Sequence, residues 1–156
     1  MKIAKNLLLL ATTLLLFQCG TSMTVLKPVQ RSKIISVDSK TKNQLYIRAN
    51  TWMVETFNNA KSVIQFSDKE SGIVIGKYLM KSIITSTTTR NDVYAIIKIQ
   101  AKDGSTKITI TPDSYINSYN SFAGGQSYPI VKLYQDINKL FQNFSDNIVN
   151  TENSNW

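Results

Sequence analysis

Apolar residues are spaced in three ways along this 156-residue chain: one near-continuous N-terminal run, several alternating stretches, and two stretches repeating at three and four. The alternating stretches predict strands and the three-four repeats predict helices. Residues 33–38 carry Ile34, Ile35 and Val37, a short strand. Ser39 then offers an N-cap for a helix over 41–57. On that helix Leu45, Ala49, Trp52 and Thr56 share a core-facing stripe, with Tyr46, Met53 and Phe57 beside it, and Trp52 is read as a core anchor. Residues 62–67 (Val63, Ile64, Phe66) and 73–85 form the next two strands, joined by the polar turn 68–72 ending in Gly72. A polar bend at 87–91 leads to a strand over 93–101, with Val93, Ala95, Ile97 and Ile99 on one face. Asp103-Gly104 suits the positive φ values of a two-residue hairpin. The strand 106–111 then places Ile108 and Ile110 inside, and Pro112 is expected to disturb the ladder. After an irregular stretch, Ile130, Leu133, Ile137, Leu140, Phe141, Phe144 and Ile148 predict a strong helix over 130–149.

The order is β-α-β-β-β-β-α. This is an α+β class: four consecutive antiparallel strands form a curved sheet, both helices pack on one of its faces, and the other face is freer. The predicted organisation is a signal peptide over 1–18, a lipidated cysteine and tether over 19–31, the α+β domain over 32–150 and a frayed tail over 151–156. One domain of this length buries an adequate core without disulfides or metals.

The N-terminal run has its own logic. Lys2 and Lys5 precede an apolar stretch over 7–17, interrupted only by Thr12 and Thr13. It is too short to cross a ~30 Å hydrocarbon core as a mature helix, but suits the centre of a signal peptide. Leu16-Phe17-Gln18-Cys19 follows and resembles a lipobox, the recognition sequence of lipoprotein signal peptidase, with Leu16 three residues before the cysteine. Gln18 departs from the small residue usual there; looser lipoboxes of this kind are a feature of Bacteroidota lipoproteins. Cys19 is the chain's single cysteine, so no internal disulfide can form. The expected anchor is diacylglycerol on the Cys19 sulfur plus an acylated amino terminus, several chains at ~0.8 kcal/mol per buried CH₂. The alternative is an ordinary cleaved signal peptide with an incidental thiol. Gly20 rather than Asp follows the cysteine, which makes the periplasmic face of the outer membrane the expected location.

Charge changes the picture less. The chain carries +8; setting aside Lys2 and Lys5 leaves +6. Lys27, Arg31, Lys33, Lys40, Lys42 and Arg48 stand against one acid, Asp38, in the same stretch. Such a run reads either as a solvated surface or as a patch toward anionic lipid, an acidic partner or nucleic acid.

Several motifs resemble one family. They are Asn43-Gln44-Leu45-Tyr46, Arg48-Ala49, Trp52 and Phe57, continued by Ser62-Val63-Ile64-Gln65, Asp68-Lys69-Glu70, Gly72 and Ile75-Gly76-Lys77. The chain is similar to a bacterial domain family of unknown function with a TBP-like (TATA-binding-protein-like) fold, whose members often follow lipoprotein signal peptides. The similarity covers about 33–79 in motif and the remainder in element order. It implies a fold and no activity, so no site residues are carried over. Nor does the fold's name imply DNA binding. Lys77, Lys98 and Lys107 on the strands are weak evidence for nucleic acid in an exported chain, and no nucleic-acid partner is expected.

The chemistry is sparse. No histidine is present, the acids are scattered, and neither a metal site nor a cofactor is expected. Ala123-Gly124-Gly125-Gln126 reads as a flexible turn rather than a phosphate cradle. Tyr115, Tyr119, Phe122 and Tyr128 are the candidate recognition residues, since tyrosine-rich loops stack on sugars or peptides. The competing reading has these rings covering a sheet edge. The expected function is a non-catalytic binding or scaffolding lipoprotein, held to the membrane by its lipid and holding an envelope protein partner. The alternatives are a periplasmic small-ligand or glycan binder using 115–128, and an uncharacterised enzyme.

Overall fold

The computed structural model describes residues 28–58, 62–84, 90–116 and 126–150. Cys19, Tyr119 and Phe122 lie outside the described residues, as do the signal peptide, most of the tether and the tail. The elements are β1 (Arg31–Ser36), α1 (Lys42–Thr56), β2 (Val63–Asp68), β3 (Ile73–Ile84), β4 (Arg90–Lys102), β5 (Ser105–Pro112) and α2 (Ile130–Val149).

The sheet order is β1-β5-β4-β3-β2, antiparallel throughout. The predicted element order and layer arrangement are both found. β2 to β5 run as a meander, which brings β5 back beside β1. β1 and β2 are therefore opposite edges, and α1 must cross the sheet between them. It does so against β5, β4, β3 and β2 in turn. Leu45, Ala49, Trp52 and Met53 of α1 enter one continuous core with Val74, Val93, Ala95, Ile97, Ile99, Ile108 and Ile110 of the sheet. Leu133, Ile137, Phe141, Phe144 and Ile148 of α2 close the same core, each buried side chain stabilising by about 1.5–3 kcal/mol. Met53, read as flanking the stripe, is fully buried, whereas Thr56 is only half-buried where α1 reaches the rim of the sheet.

The start of α1 differs from the expectation of a Ser39 cap. Thr41 is the N-cap, and Gln44 completes a capping box in which each side chain accepts from the other residue's backbone N–H. A Thr with Gln three positions later satisfies two otherwise orphaned donors, which Ser39 cannot do. The 103–104 turn also differs: only Gly104 has positive φ (73°), and Asp103 does not. The Asp103 carboxylate instead accepts from the Lys42 backbone N–H at 2.6 Å, and Gly104 exchanges hydrogen bonds with Val37 and Lys40. Docking onto the β1–α1 connection thus sets the turn geometry. Pro112 does not break the ladder; it ends β5 opposite Ala95.

Three members of the basic run, Arg31, Lys42 and Arg48, are engaged locally. The Arg31 guanidinium lies 3.8 Å over the Tyr134 ring, and Lys42 Nζ donates to the Glu70 carbonyl at 2.8 Å. Arg48 Nη1 donates to the carbonyls of Asn147, Ile148 and Asn150, at 2.5 Å for the last, and so caps α2 where its unsatisfied carbonyls favour a cation.

One buried polar atom has no partner among the described residues, Thr106 Oγ1. Thr106→Val keeps the shape and removes the unsatisfied group. It is expected to leave stability unchanged or raise it by up to ~1 kcal/mol, read as the urea midpoint.

Candidate binding surfaces

With both helices on one face, the residues alternating away from the core form a second face that no described element covers. The registers fix its layout. Phe66 stands opposite Ile75, Ile75 opposite Lys98, and Lys98 opposite Thr109. One step along the strands, Val63 faces Lys77 and Lys77 faces Ile96. One step the other way, Gln100 faces Lys107 and Lys107 faces Ile34. The β2–β3 half is thus apolar apart from Lys77: Val63 and Phe66 are each 49 % exposed, beside Ile75 and Leu79. The β5–β1 half carries hydroxyls, with Ser32 and Thr109 hydrogen-bonded to each other at 3.0 Å.

β2 itself is an edge strand guarded only by a bulge and by Asp68 at its end. Its sequence VIQFSD has no basic residue and no proline, whereas β1 carries Arg31 and Lys33. A register shift between Ile64 and Phe66 bends it locally. Tyr46, Ser67 and Asn50 tie its inner side to α1, through Tyr46 Oη···Ser67 Oγ at 2.7 Å and Ser67 Oγ to Asn50 Oδ1 at 2.9 Å.

A second feature is an open groove of about 570 Å³ between the end of α1, β3 and α2. Trp52, Tyr78, Met80 and Leu140 give it an apolar floor, and Glu55, Lys139, Asn143 and Asp136 a polar rim. Asp136 is its most constrained group, accepting from Tyr128 Oη and Lys132 Nζ, each at 2.9 Å. Burial pushes the pKa of this carboxyl up, but the hydrogen bonds from Lys132 and Tyr128 and the charges of Lys132 and Lys139 outweigh it, leaving the pKa below its ordinary 3.8. Burial, then the Asp136 contact, pushes the Tyr128 phenol well above its usual range. Because the folded pKa of Asp136 is depressed, its contribution is complete above 3.8 and is lost as pH falls below that value. Asp136→Asn is expected to cost about 0.5–1 kcal/mol at neutral pH, the group being partly solvent-screened. Thermal melts of both proteins should converge in strong acid; a gap constant with pH would contradict the assignment.

Two of the four candidate recognition rings, Tyr115 and Tyr128, fall among the described residues. Tyr128 is 1 % and Tyr115 6 % exposed, both inside the core. The 116 and 128 backbones pair across an isolated bridge that pins these rings. As placed, neither presents a face on which a sugar or peptide can stack, while Tyr119 and Phe122 lie outside the described residues. The freer sheet face follows from the element order, whereas the groove is not visible from residue types. Lys77, Lys98 and Lys107 were visible as strand lysines, but their adjacency appears only with the register. Among the described residues no three acidic, cysteine or histidine side chains converge as a metal site, and no helix is long and apolar enough to cross a membrane.

The fold and its uncovered face define a class, the five-stranded antiparallel open sheet with two helices on one side, known as TBP-like. Within that class, residues 32–115 match the family described as a domain of unknown function (DUF4468) with TBP-like fold, and the chain belongs to that family. A DUF4468 family protein from Bacteroides ovatus is similar at 16 % identity and TM-score 0.55, over 86 % of this chain and 94 % of that one. A TBP-like protein from Parabacteroides distasonis is similar at 15 % identity and TM-score 0.58, over 80 % and 94 %. At such identities the likeness shows the fold alone. No curated protein matches the chain.

Proposed function

We propose that this protein is a non-catalytic binding or scaffolding module of the cell envelope, lipid-anchored through Cys19, which holds a macromolecular partner on its uncovered sheet face. The observation that carries this reading is the strip of Val63 and Phe66 on edge strand β2 with Ile75 and Leu79 on β3. Exposed side chains of this kind, arranged contiguously rather than scattered, mark interaction surfaces. The export run and the Leu16-to-Cys19 motif support the anchor.

Intact mass of the native protein tests the anchor. The expected species begins at Cys19 and carries acyl chains; a chain beginning at Met1 with a free thiol overturns it. Phe66→Ser, at a half-exposed position, tests the face. Purified in mild detergent, the parent protein is expected to bring a stoichiometric partner and the variant to lose it. A lone monomer from the parent under several conditions overturns the binding reading.

A further inference from the structure

Lys107, Lys98 and Lys77 occupy three neighbouring strands, β5, β4 and β3, each displaced by one step of the outward face from the next. Lys98 stands between Ile75 and Thr109; Lys77 is two residues beyond Ile75, and Lys107 two residues before Thr109. Each successive pair is thus a diagonal cross-strand pair, roughly 7–8 Å apart at the backbone. The three charges form a line across the middle of the face, at spacings within the ~8 Å screening length of physiological salt. Among the described residues no carboxylate pairs with any of them. Lys77 Nζ instead sits 4.0 Å over the Tyr94 ring. Like charges held in a row cost stability in the free protein, so an anionic occupant relieves repulsion as well as adding attraction.

The surroundings narrow the occupant. The acids of this face stand at its ends. Asp68 is opposite Ile73 at one end, and at the other Asp92 is opposite Ser82, with Asp113 bonded to the Tyr94 backbone. A broad anionic plane such as a bilayer meets these acids together with the lysines. A narrow chain following the diagonal meets only the lysines. A second copy of the same face brings lysine against lysine. Apolar side chains flank the row on both sides, Phe66, Ile75 and Val63 on one and Ile34, Ile96 and Leu79 on the other beside Thr109 and Thr111, so the chain that fits is acidic and carries apolar side chains as well.

We infer that the lysine diagonal 107–98–77 is the docking track for an acidic, partly apolar segment of a partner polypeptide. This deepens the binding reading above and rests on it. The test uses the full-length protein in nonionic detergent and two synthetic peptides, one alternating glutamate and leucine, the other glutamine and leucine. Lysine acylation followed by mass spectrometry reads protection residue by residue. The glutamate peptide is expected to protect Lys77, Lys98 and Lys107 but not Lys33 or Lys69, with affinity falling as salt rises. The K77Q/K98Q/K107Q variant should lose roughly tenfold or more in affinity, as three partly screened ion pairs predict, and K33Q/K40Q/K69Q should not. Equal binding of both peptides, lost in Phe66→Ser, overturns the charge inference while leaving the docking face intact. No binding of either peptide overturns the inference and removes this support for the face. Protection of the three lysines by phosphatidylglycerol bicelles but not by the peptide overturns it in favour of lipid. Protection that rises with protein concentration alone overturns it in favour of a second copy.

Discussion

Trp52→Ala is expected to destabilise the domain by about 3–5 kcal/mol, a large share of the ~5–15 kcal/mol that holds a typical domain together. Trp52 is 1 % exposed at the point where α1, α2 and the sheet meet. Its ring packs edge-on against Phe144 with centroids 4.9 Å apart, and its Nε1–H donates to Asn143 Oδ1 at 2.6 Å. Truncation removes both contacts and leaves a void that two helices and a sheet cannot collapse into together. Trp52→Phe separates the parts. It keeps most of the buried ring and loses the hydrogen bond, whose acceptor, on an exposed residue, regains water. That variant should cost only about 1–2 kcal/mol. Urea unfolding of the three proteins checks the order. A cost below ~1 kcal/mol for the alanine variant would show that the groove side of the core tolerates a cavity and that Trp52 does not anchor α1 to α2.

Sequence and structure agree where periodicity alone decides burial. In α2 the apolar repeat coincides with the buried side, since a helix lying across a core has one choice of face. Alternation in β4 likewise selects Val93, Ala95, Ile97 and Ile99, all buried. Agreement weakens where a neighbour distant in sequence intervenes. Thr109, between inward Ile108 and Ile110, points outward as alternation requires, yet it is 9 % exposed because edge strand β1 lies against it and Ser32 bonds its hydroxyl. β2 carries the same residue types as the core strands and is exposed along almost its whole length, because it is an edge. Residue type does not report strand order. The Thr41 cap, by contrast, was readable: Thr followed at three by Gln is a capping signature that the nearer Ser39 obscured.

The candidate surfaces were less legible for a related reason. Tyr115 and Tyr128 are amphipathic side chains in a loop-like stretch, which suits recognition and burial equally. What decides is Asp136, eight residues further along on α2, which takes the Tyr128 hydroxyl and lets the ring go inside. The lysines on β3, β4 and β5 are far apart in sequence, and only the 103–104 turn and the long β3–β4 pairing bring them into line. A shift of one residue in either ladder would split the three lysines between the two faces of the sheet. The docking face is therefore a product of register, and register is fixed here by the backbone bonds of Gly104 and Ala101 to neighbouring loops.

Gly76→Ala is expected to cost about 1–3 kcal/mol, although its backbone conformation suits any residue. The reason is proximity. A Cβ at position 76 would overlap the Phe57 ring edge, reaching Cζ at 3.0 Å, and would meet the Val63 carbonyl at 3.1 Å. Neither neighbour gives way easily. Phe57 is the C-cap of α1 and lies against Tyr78 with centroids 5.3 Å apart, while the Val63 carbonyl belongs to the strand paired with β3. Relief by moving the ring tilts the end of α1; relief by moving the carbonyl loosens β2 and with it the exposed strip of Val63 and Phe66. Phe57→Leu alone should cost less than about 1.5 kcal/mol. In the double variant the smaller side chain makes room for the new methyl, so the combined loss should fall short of the sum by ~0.5 kcal/mol or more. Urea unfolding of all four proteins closes the cycle, and strict additivity would show that the ring is not what keeps position 76 a glycine. If the carbonyl is the tighter constraint, Gly76→Ala should instead weaken partner retention at the sheet face while the double variant fails to restore it. The same four proteins, passed through the co-purification test, distinguish a helix-end effect from an edge-strand effect.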